Sequence, residues 1–551
     1  MASLDNLPTQ ENPNIVDKGE QKFMPGSIPE DGFFIDLEET WIIPVVQVHE
    51  KTTKLGAQIL KLQNYLSHMP TLVKSSGIYA LSSIASPLVQ LVLAPFLTHQ
   101  LSSSDYGVLA VLDTTIALLV GLTQLSLGSS FFRAYSYDYE SPRDRSAVLP
   151  TVIILLSLTS IPVAVTILIT APWLSTLLFN RPSFSDPLRI AGLIILLQNL
   201  SVPGLSWLRA EGRPAWYSGL SIANLLISLS ATIVLVGLLH MGISGALLAI
   251  GCGYNFVVVC TLPRLVLRAG LRPRFDIARN LLSFGVALAC NFVAKWVLQL
   301  SDRYLLSRLA SLAETASYSV AYNLGSALVV VIIVPFQLAW PQIMFAMAKR
   351  DDAAQRFRVV FRWFSIVLLL AAFALSLVAL GVLDLLFPPA YHSAAPVIPI
   401  IALSVMFYGI YGIFTIGISV RRKNWLAIIM TSLSAAVNVG ANLILIPLYG
   451  SLGAAVSTCI AYIVLALIAY IVNQRIYPIP FEIGIFIIGL CIGIVLYVAG
   501  NIFAQAQELY VAWGIRICSL LLYTGCLALL GRLPARSLEK KYTQAQEISV
   551  P

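Results

Sequence analysis

From residue 76 to residue 530 the chain is a succession of apolar runs, each interrupted by a short charged or Pro/Gly-bearing break. Runs of about 19 or more apolar residues, wound as helices, cross the hydrocarbon of a bilayer, and helices satisfy their own backbone groups there. Barrel strands would alternate instead of running continuously apolar. The pattern predicts an all-α polytopic membrane protein of about fourteen spans. The first six cover 76–98, 107–129, 148–171, 188–207, 217–239 and 242–262; the next six cover 281–300, 317–339, 361–387, 396–418, 425–447 and 451–472; a last pair covers 481–503 and 513–530. Residues 1–71 begin polar, mix Pro, Asn, Gln, Glu and Lys, and contain no apolar core of a cleavable signal peptide. That tail is expected to be cytoplasmic and partly disordered, with 32–48 apolar enough to dock on protein or interface and 55–72 able to form a short amphipathic helix.

Composition agrees with a chain solvated by lipid. Of 551 residues, 58% are hydrophobic and 11% charged, against about 25% charged in an ordinary soluble domain. The formal charge of +8 does not point to nucleic acid, because Lys and Arg are scattered between spans rather than gathered in one patch. The seven cysteines, all in or beside apolar segments without a CxxC pair, read as small buried hydrophobes.

Topology explains the basic excess. Arg133, Arg143 and Arg145, Arg209 and Arg213, Arg264 to Arg279, Lys349 to Arg362, Arg421 to Lys423 and Arg475 all fall in even-numbered loops. The odd loops hold Arg181, Arg189, Arg303, Arg308 and Arg516, roughly a quarter as many, so both termini are expected on the cytoplasmic side.

The chain also repeats itself. Arg213-Pro214-Ala215-Trp216 opens span five and Gly242-Ile243-Ser244-Gly245-Ala246 opens span six; Arg422-Lys423-Asn424-Trp425 and Gly450-Ser451-Leu452-Gly453-Ala454 stand in the same places at spans eleven and twelve. A weaker echo links Gly77 with Gly285, and Tyr106 with Tyr318. Six spans per half give two halves of the same orientation, the parallel-repeat skeleton of alternating access. The expected organisation is a tail at 1–71, an N-lobe at 72–264, a C-lobe at 265–475, two accessory helices at 476–531 and a cytoplasmic tail at 532–551.

Lys295 is the one Lys or Arg placed deep in an expected span. On an ideal helix Asn291, Lys295, Gln299 and Asp302 share an arc of about 80°, a polar stripe on a greasy helix. An ammonium near the bilayer centre costs about 2.5 to 3.5 kcal/mol on insertion scales, so it faces protein or a wet cavity, where an anionic ligand would offset the cost. The alternative is a structural ion pair, for which Asp302 is too far along the helix and Asp113 in span two is a candidate. Arg133 and Arg303, near span ends, fit snorkelling to headgroups as well as cavity lining. Uncharged stripes, Tyr79, Ser83, Ser86 and Gln90 in span one and Thr431, Ser434, Asn438 and Asn442 in span eleven, fit helix-to-helix glue or cavity lining. Neither HExxH nor a nucleotide-binding loop occurs, the five histidines are scattered, and adjacent Asp351 and Asp352 sit in a charged loop. No catalytic residue, metal site or cofactor is expected, and the driving force must come from an ion gradient, the membrane potential or consumption of the cargo.

At Gly77, at Leu101 to Gly107 (Leu, three Ser, Asp, Tyr, Gly), at Gly128 to Arg133 and at the Gly450 to Ala455 turn, the chain resembles the polysaccharide-export branch of the multidrug, oligosaccharidyl-lipid and polysaccharide exporter superfamily. That branch includes O-antigen and lipid II flippases, and the resemblance covers about residues 72–530. It implies a V-shaped pair of six-helix lobes that carries an undecaprenyl-diphosphate-linked oligosaccharide across the plasma (inner) membrane for polysaccharide, including lipopolysaccharide, biosynthesis. It further implies cavity cations that meet the diphosphate, for which Lys295, Arg303 and Arg133 stand in matching regions, and partners among polymerase or glycosyltransferase machinery. The long N-terminal tail departs from the family pattern.

Two rival functions remain. A multidrug or cation antiporter of the same superfamily would need a carboxylate deep in a lobe, and span one carries only Tyr, Ser and Gln. A membrane-embedded oligosaccharide polymerase or glycosyltransferase would place its acids or cations on a long outer loop, whereas these loops are short.

Overall fold

The structure, a computed structural model, describes residues 89–139, 141–505 and 509–532. The expectations for both tails, and for Gly77, Tyr79, Ser83, Ser86 and Pro87 in span one, lie outside the described residues. Among those described, all regular structure is helical. The helices are α1 (89–100), α2 (Ser103–Asp138), α3 (Arg143–Phe179), α4 (Pro182–Ala210), α5 (Pro214–Leu238), α6 (Gly242–Ala269) and α7 (Phe275–Leu300). After a short helix at Asp302–Leu309 come α8 (Leu312–Ala348), α9 (Ala353–Leu386) and α10 (Val397–Val420). One continuous element, Trp425–Ile476, is broken by non-helical Gly450 into α11 (425–449) and α12 (451–476), and α13 (Ile483–Phe503) and α14 (Tyr510–Arg532) close the chain.

Twelve described helices are long and apolar enough to span a membrane. Counting the two arms of Trp425–Ile476 separately and adding α1, every expected span finds its helix. The cysteines depart from expectation: Cys459 is buried, but Cys252, Cys290, Cys491 and Cys518 are exposed. Weakly polar thiols on spans carry little cost against lipid, so burial was not required of them.

The sequence repeat has a geometric counterpart. Gly242 and Gly450 both adopt φ +57, the left-handed conformation in which glycine lacks the steric penalty of other residues. Three residues on, Gly245 and Gly453 bring each new helix onto a carbonyl of the helix before. A Cβ would stand 3.1 Å from Leu235 O at the first position and 2.1 Å from Leu445 O at the second. The helices after loops one and seven, α2 and α8, also open alike: the Ser102 hydroxyl accepts from Asp105 N–H and the Ser311 hydroxyl from Glu314 N–H, each at 3.1 Å. Such caps satisfy a helix N–H that has no partner within its own helix.

Helices α2 to α6 pack on one another, α7 to α12 do the same, and α13 and α14 pack together on α9. Arg362 on α9 binds both carboxylate oxygens of Glu482 just before α13 and donates to Gly531 O at the end of α14, so the accessory pair is pinned to the second bundle. The two bundles meet through α7, the short helix and the first half of α8, which pack on α2 or α3. The second half of α8 packs on α9 and the end of α10 instead. At that seam α2 is bent: Leu125 (φ 46) and Ser126 (φ 52) are both left-handed, and the helix resumes as Leu127–Arg133 and a π-helical turn at Ala134–Asp138. Gly285 admits the bend, because a Cβ there would lie 2.2 Å from Leu125 O.

Candidate functional site

The side chains of α7 divide into faces. Phe292 packs against Gly121 of α2, and Trp296 Nε1 donates to Thr114 O of α2 at 3.2 Å. Elsewhere α7 packs on the Trp425–Ile476 element. Val286 and Cys290 are exposed and Val293 and Val297 half-buried, an apolar stripe suited to lipid. Lys295 is exposed too, yet at about 100° per residue it lies about 170° round the helix from the centre of that stripe. It makes no ion pair within 4.0 Å and no hydrogen bond among the described residues. Beside it Asn291 is buried with its Oδ1 unpartnered, and Gln299 is half-buried.

Asp302 belongs to a different environment. The helix breaks at Ser301, and the Asp302 carboxylate, 0% exposed, accepts from Tyr318 Oη at 2.5 Å, Asn442 Nδ2 at 2.7 Å and Thr458 Oγ1 at 2.8 Å. These donors come from α8, α11 and α12, so one carboxylate ties three helices, and the hydrogen bonds offset much of the cost of burying it. Asn442 also donates to Asn438 Oδ1 at 3.1 Å. Thr431, Ser434, Asn438 and Asn442 are all buried; the α11 stripe is turned into the bundle, with Asn442 serving as glue to Asp302. Carboxylate, amide and hydroxyl oxygens are donors that a hard cation accepts, but among the described residues no three His, Cys, Asp or Glu side chains gather as a metal site.

Arg303 is 7% exposed and does not snorkel: its guanidinium lies 4.8 Å from the centre of the Tyr322 ring, and Nη1 is buried without a partner. Asp113 on α2 is exposed and interacts electrostatically with Tyr106 of the same helix and with Arg303 across the bundle seam, without an ion pair inside 4.0 Å to either Arg303 or Lys295. Arg133 is remote from this group. It is exposed at the far end of α2, 3.3 Å from Asp138 and 4.8 Å from the centre of the Phe284 ring of α7. The structure therefore groups Arg303 with Asp113 and with its neighbour Asp302, places Lys295 in the open on α7, and sets Arg133 apart. Asp352, in the charged loop, pairs with Arg350 at 3.1 Å and Arg356 at 2.7 Å, and these guanidiniums hold its carboxyl below the usual range.

A cluster of tyrosines was not legible in the sequence. Tyr322 of α8, Tyr408 and Tyr411 of α10 and Tyr462 of α12 converge, with ring centres 6.1 Å apart for Tyr408 and Tyr411 and 5.3 Å for Tyr408 and Tyr462. Two apolar grooves of about 440 and 450 Å³ lie elsewhere, along Ile494 to Phe503 of α13 and Val511 to Leu522 of α14. Lined almost wholly by aliphatic side chains, they offer lipid-like contact and no polar chemistry.

Paired helical bundles, apolar outside and carrying charge at their seam, define a multi-pass membrane protein. The lipid II flippase MurJ in its inward closed conformation superposes with a TM-score of 0.66 at 15% identity, over 81% of this chain and 98% of that one. An inward-facing multidrug resistance MATE transporter of the MOP superfamily superposes at 0.58 and 12% identity, over 72% and 97%. Identities so low make this a likeness of fold. More particularly, the polysaccharide biosynthesis protein family matches residues 72–347, half of the chain, and the chain belongs to that family. An uncharacterized membrane protein of Methanocaldococcus jannaschii is 27% identical over 195 residues, 34% of this chain, and the chain spans 38% of that relative's length.

Proposed function

We propose that the protein is a flippase that carries an undecaprenyl-diphosphate-linked oligosaccharide from the cytoplasmic to the outer leaflet of the plasma membrane by alternating access. The observation that carries this reading is Lys295: an exposed ammonium, turned from the apolar stripe of its helix, with no carboxylate within 4.0 Å among the described residues. A charge so placed favours a wet chamber between the bundles and an anionic headgroup as its counter-ion. Arg303 and Asp113 would line the same seam nearer loops one and seven, with Asn291 and Gln299 flanking Lys295.

Orientation follows from charge. With the Arg-rich loops cytoplasmic, contacts of Gly107 with Leu312, Thr115 with Tyr304 and Tyr106 with Tyr391 close the outer end of the seam. The second half of α8, packed away from the first bundle, leaves the cytoplasmic end as the side of entry. The fold shared with an inward closed flippase supports the same reading. The likeness to multidrug transporters keeps the antiporter as the rival, and a cationic drug would be repelled by Lys295 and Arg303 alike.

The test is polymer export in cells that depend on this protein. Lys295→Ala should abolish export while membrane insertion and yield stay at wild-type levels, and Lys295→Arg should retain a substantial part of it. Full export by Lys295→Ala would remove the assignment.

A further inference from the structure

Resting on the flippase reading, we propose that Tyr322, Tyr408 and Tyr411, backed by Tyr462 and flanked by Arg303, form the surface that reads the saccharide of the cargo, separately from the ammonium that meets its diphosphate.

The cluster lies one helical turn beyond the Asp302 hub. Tyr322 follows Tyr318 by four residues on α8, and Tyr462 follows Thr458 by four on α12. Tyr408 and Tyr411, three apart on α10, face the same way. The rings of Tyr408 and Tyr411 are stacked at 29° and that of Tyr462 is tilted 37° from Tyr408. Tyr322 interacts electrostatically with Tyr408, the hydroxyls of Tyr322 and Tyr462 hydrogen-bond to each other, and that of Tyr411 bonds to Thr431 of α11. Tyr322, Tyr408 and Tyr411 are half-buried while Tyr462 is buried, so three rings form a front and the fourth a backing.

Packing alone does not call for these hydroxyls. The neighbouring aromatic cluster of the same bundle is built mainly on Phe361, Phe414, Phe481 and Phe486, with ring centres between 5.1 and 6.4 Å apart, and carries a single phenol, Tyr470, against Phe414 and Phe481. A phenolic hydroxyl drawn into a membrane protein needs a hydrogen-bond partner. Tyr408 has none among the described residues. Arg303, 7% exposed, brings an unpartnered Nη1 to the edge of the cluster. Apolar ring faces beside the free hydroxyl of Tyr408 and the unpartnered Nη1 of Arg303 suit a ligand that is apolar on its faces and hydroxylated on its edge, which describes a pyranose. An organic cation would compete with the guanidinium already over Tyr322. A diphosphate finds its less encumbered partner in the exposed Lys295.

The experiment uses the full chain in nanodiscs and measures binding of bare undecaprenyl diphosphate, of a panel of the same lipid carrying one to three sugars, and of tetraphenylphosphonium. The wild type should bind at least one glycosylated lipid about tenfold more tightly than the bare lipid, equivalent to about 1.4 kcal/mol. The double variant Tyr408→Phe, Tyr411→Phe should lose that increment and keep its affinity for the bare lipid, whereas Lys295→Ala should lose both. Equal wild-type affinity for bare and glycosylated lipids overturns the saccharide surface and leaves the flippase reading standing. Loss of bare-lipid binding or of thermal stability in the double variant assigns the tyrosines to packing and overturns it as well. Binding of tetraphenylphosphonium with no binding of any lipid diphosphate brings down both.

Discussion

Lys295 and Asp302 stand two helical turns apart in sequence, carry opposite charge, and are housed in opposite ways. Asp302 is closed off and receives three donors from three helices. Lys295 is open and receives nothing. Charge by itself therefore says little about purpose in a membrane; what distinguishes the two is whether the fold supplies the counter-groups. Where it does, the ion is a structural knot. Where it does not, the counter-group has to come from water or a ligand.

Removing the knot is the harshest test of that contrast. Asp302→Ala removes the charged acceptor shared by three buried donors and leaves them only their secondary contacts, and we expect a loss of about 3 kcal/mol or more, read as a large fall in the melting temperature of the detergent-purified protein or loss of its monodisperse peak. Lys295→Met should leave that melting temperature unchanged. A stable Asp302→Ala that fails only in transport would break the comparison, because Asp302 would then belong to the working site. Next in size, Glu482→Gln weakens an ion pair whose members are 13% and 14% exposed, at a cost of about 2 kcal/mol, below that of breaking a fully buried pair. It should show as faster proteolytic release of the segment carrying α13 and α14. Smallest is Asp352→Asn, because Asp352 is 43% exposed and its ion pairs are screened. Its carboxyl is lowered in the folded state, so its contribution is present above the ordinary carboxylate range and fades as pH falls through the lowered value. Melting curves of wild type and Asp352→Asn should differ slightly at neutral pH, with the variant lower, and coincide in acid.

Much of the architecture could be read in advance, for a local reason. Span length, the basic loops and the glycine turns each depend on residues within one helix or one turn, and Gly242 and Gly450 meet at the same φ because the same tight hairpin requires it. The polar stripe of α7 could be read only up to Gln299. Its regular spacing places Asp302 on the same face as Lys295 two turns on, yet donors from α8, α11 and α12 close Asp302 in while Lys295 stays exposed. The bend at Leu125 and Ser126 left no mark in sequence, since neither residue favours a left-handed backbone. Gly285, singled out as an echo of Gly77, is better explained by that bend, against which it packs.

By itself the sequence determined that this chain forms about fourteen apolar helical spans, with Lys and Arg concentrated in alternate loops and local motifs recurring between its halves, because hydropathy and charge act on each segment independently. Tertiary structure alone decided which polar groups face each other: that Asn442 and Thr458 seal Asp302, that Arg303 settles over Tyr322, and that four tyrosines from three helices converge. The reason is the rotation of each helix about its own axis. It is set by packing against neighbours distant in sequence, and a few tens of degrees decide between lipid, bundle core and seam.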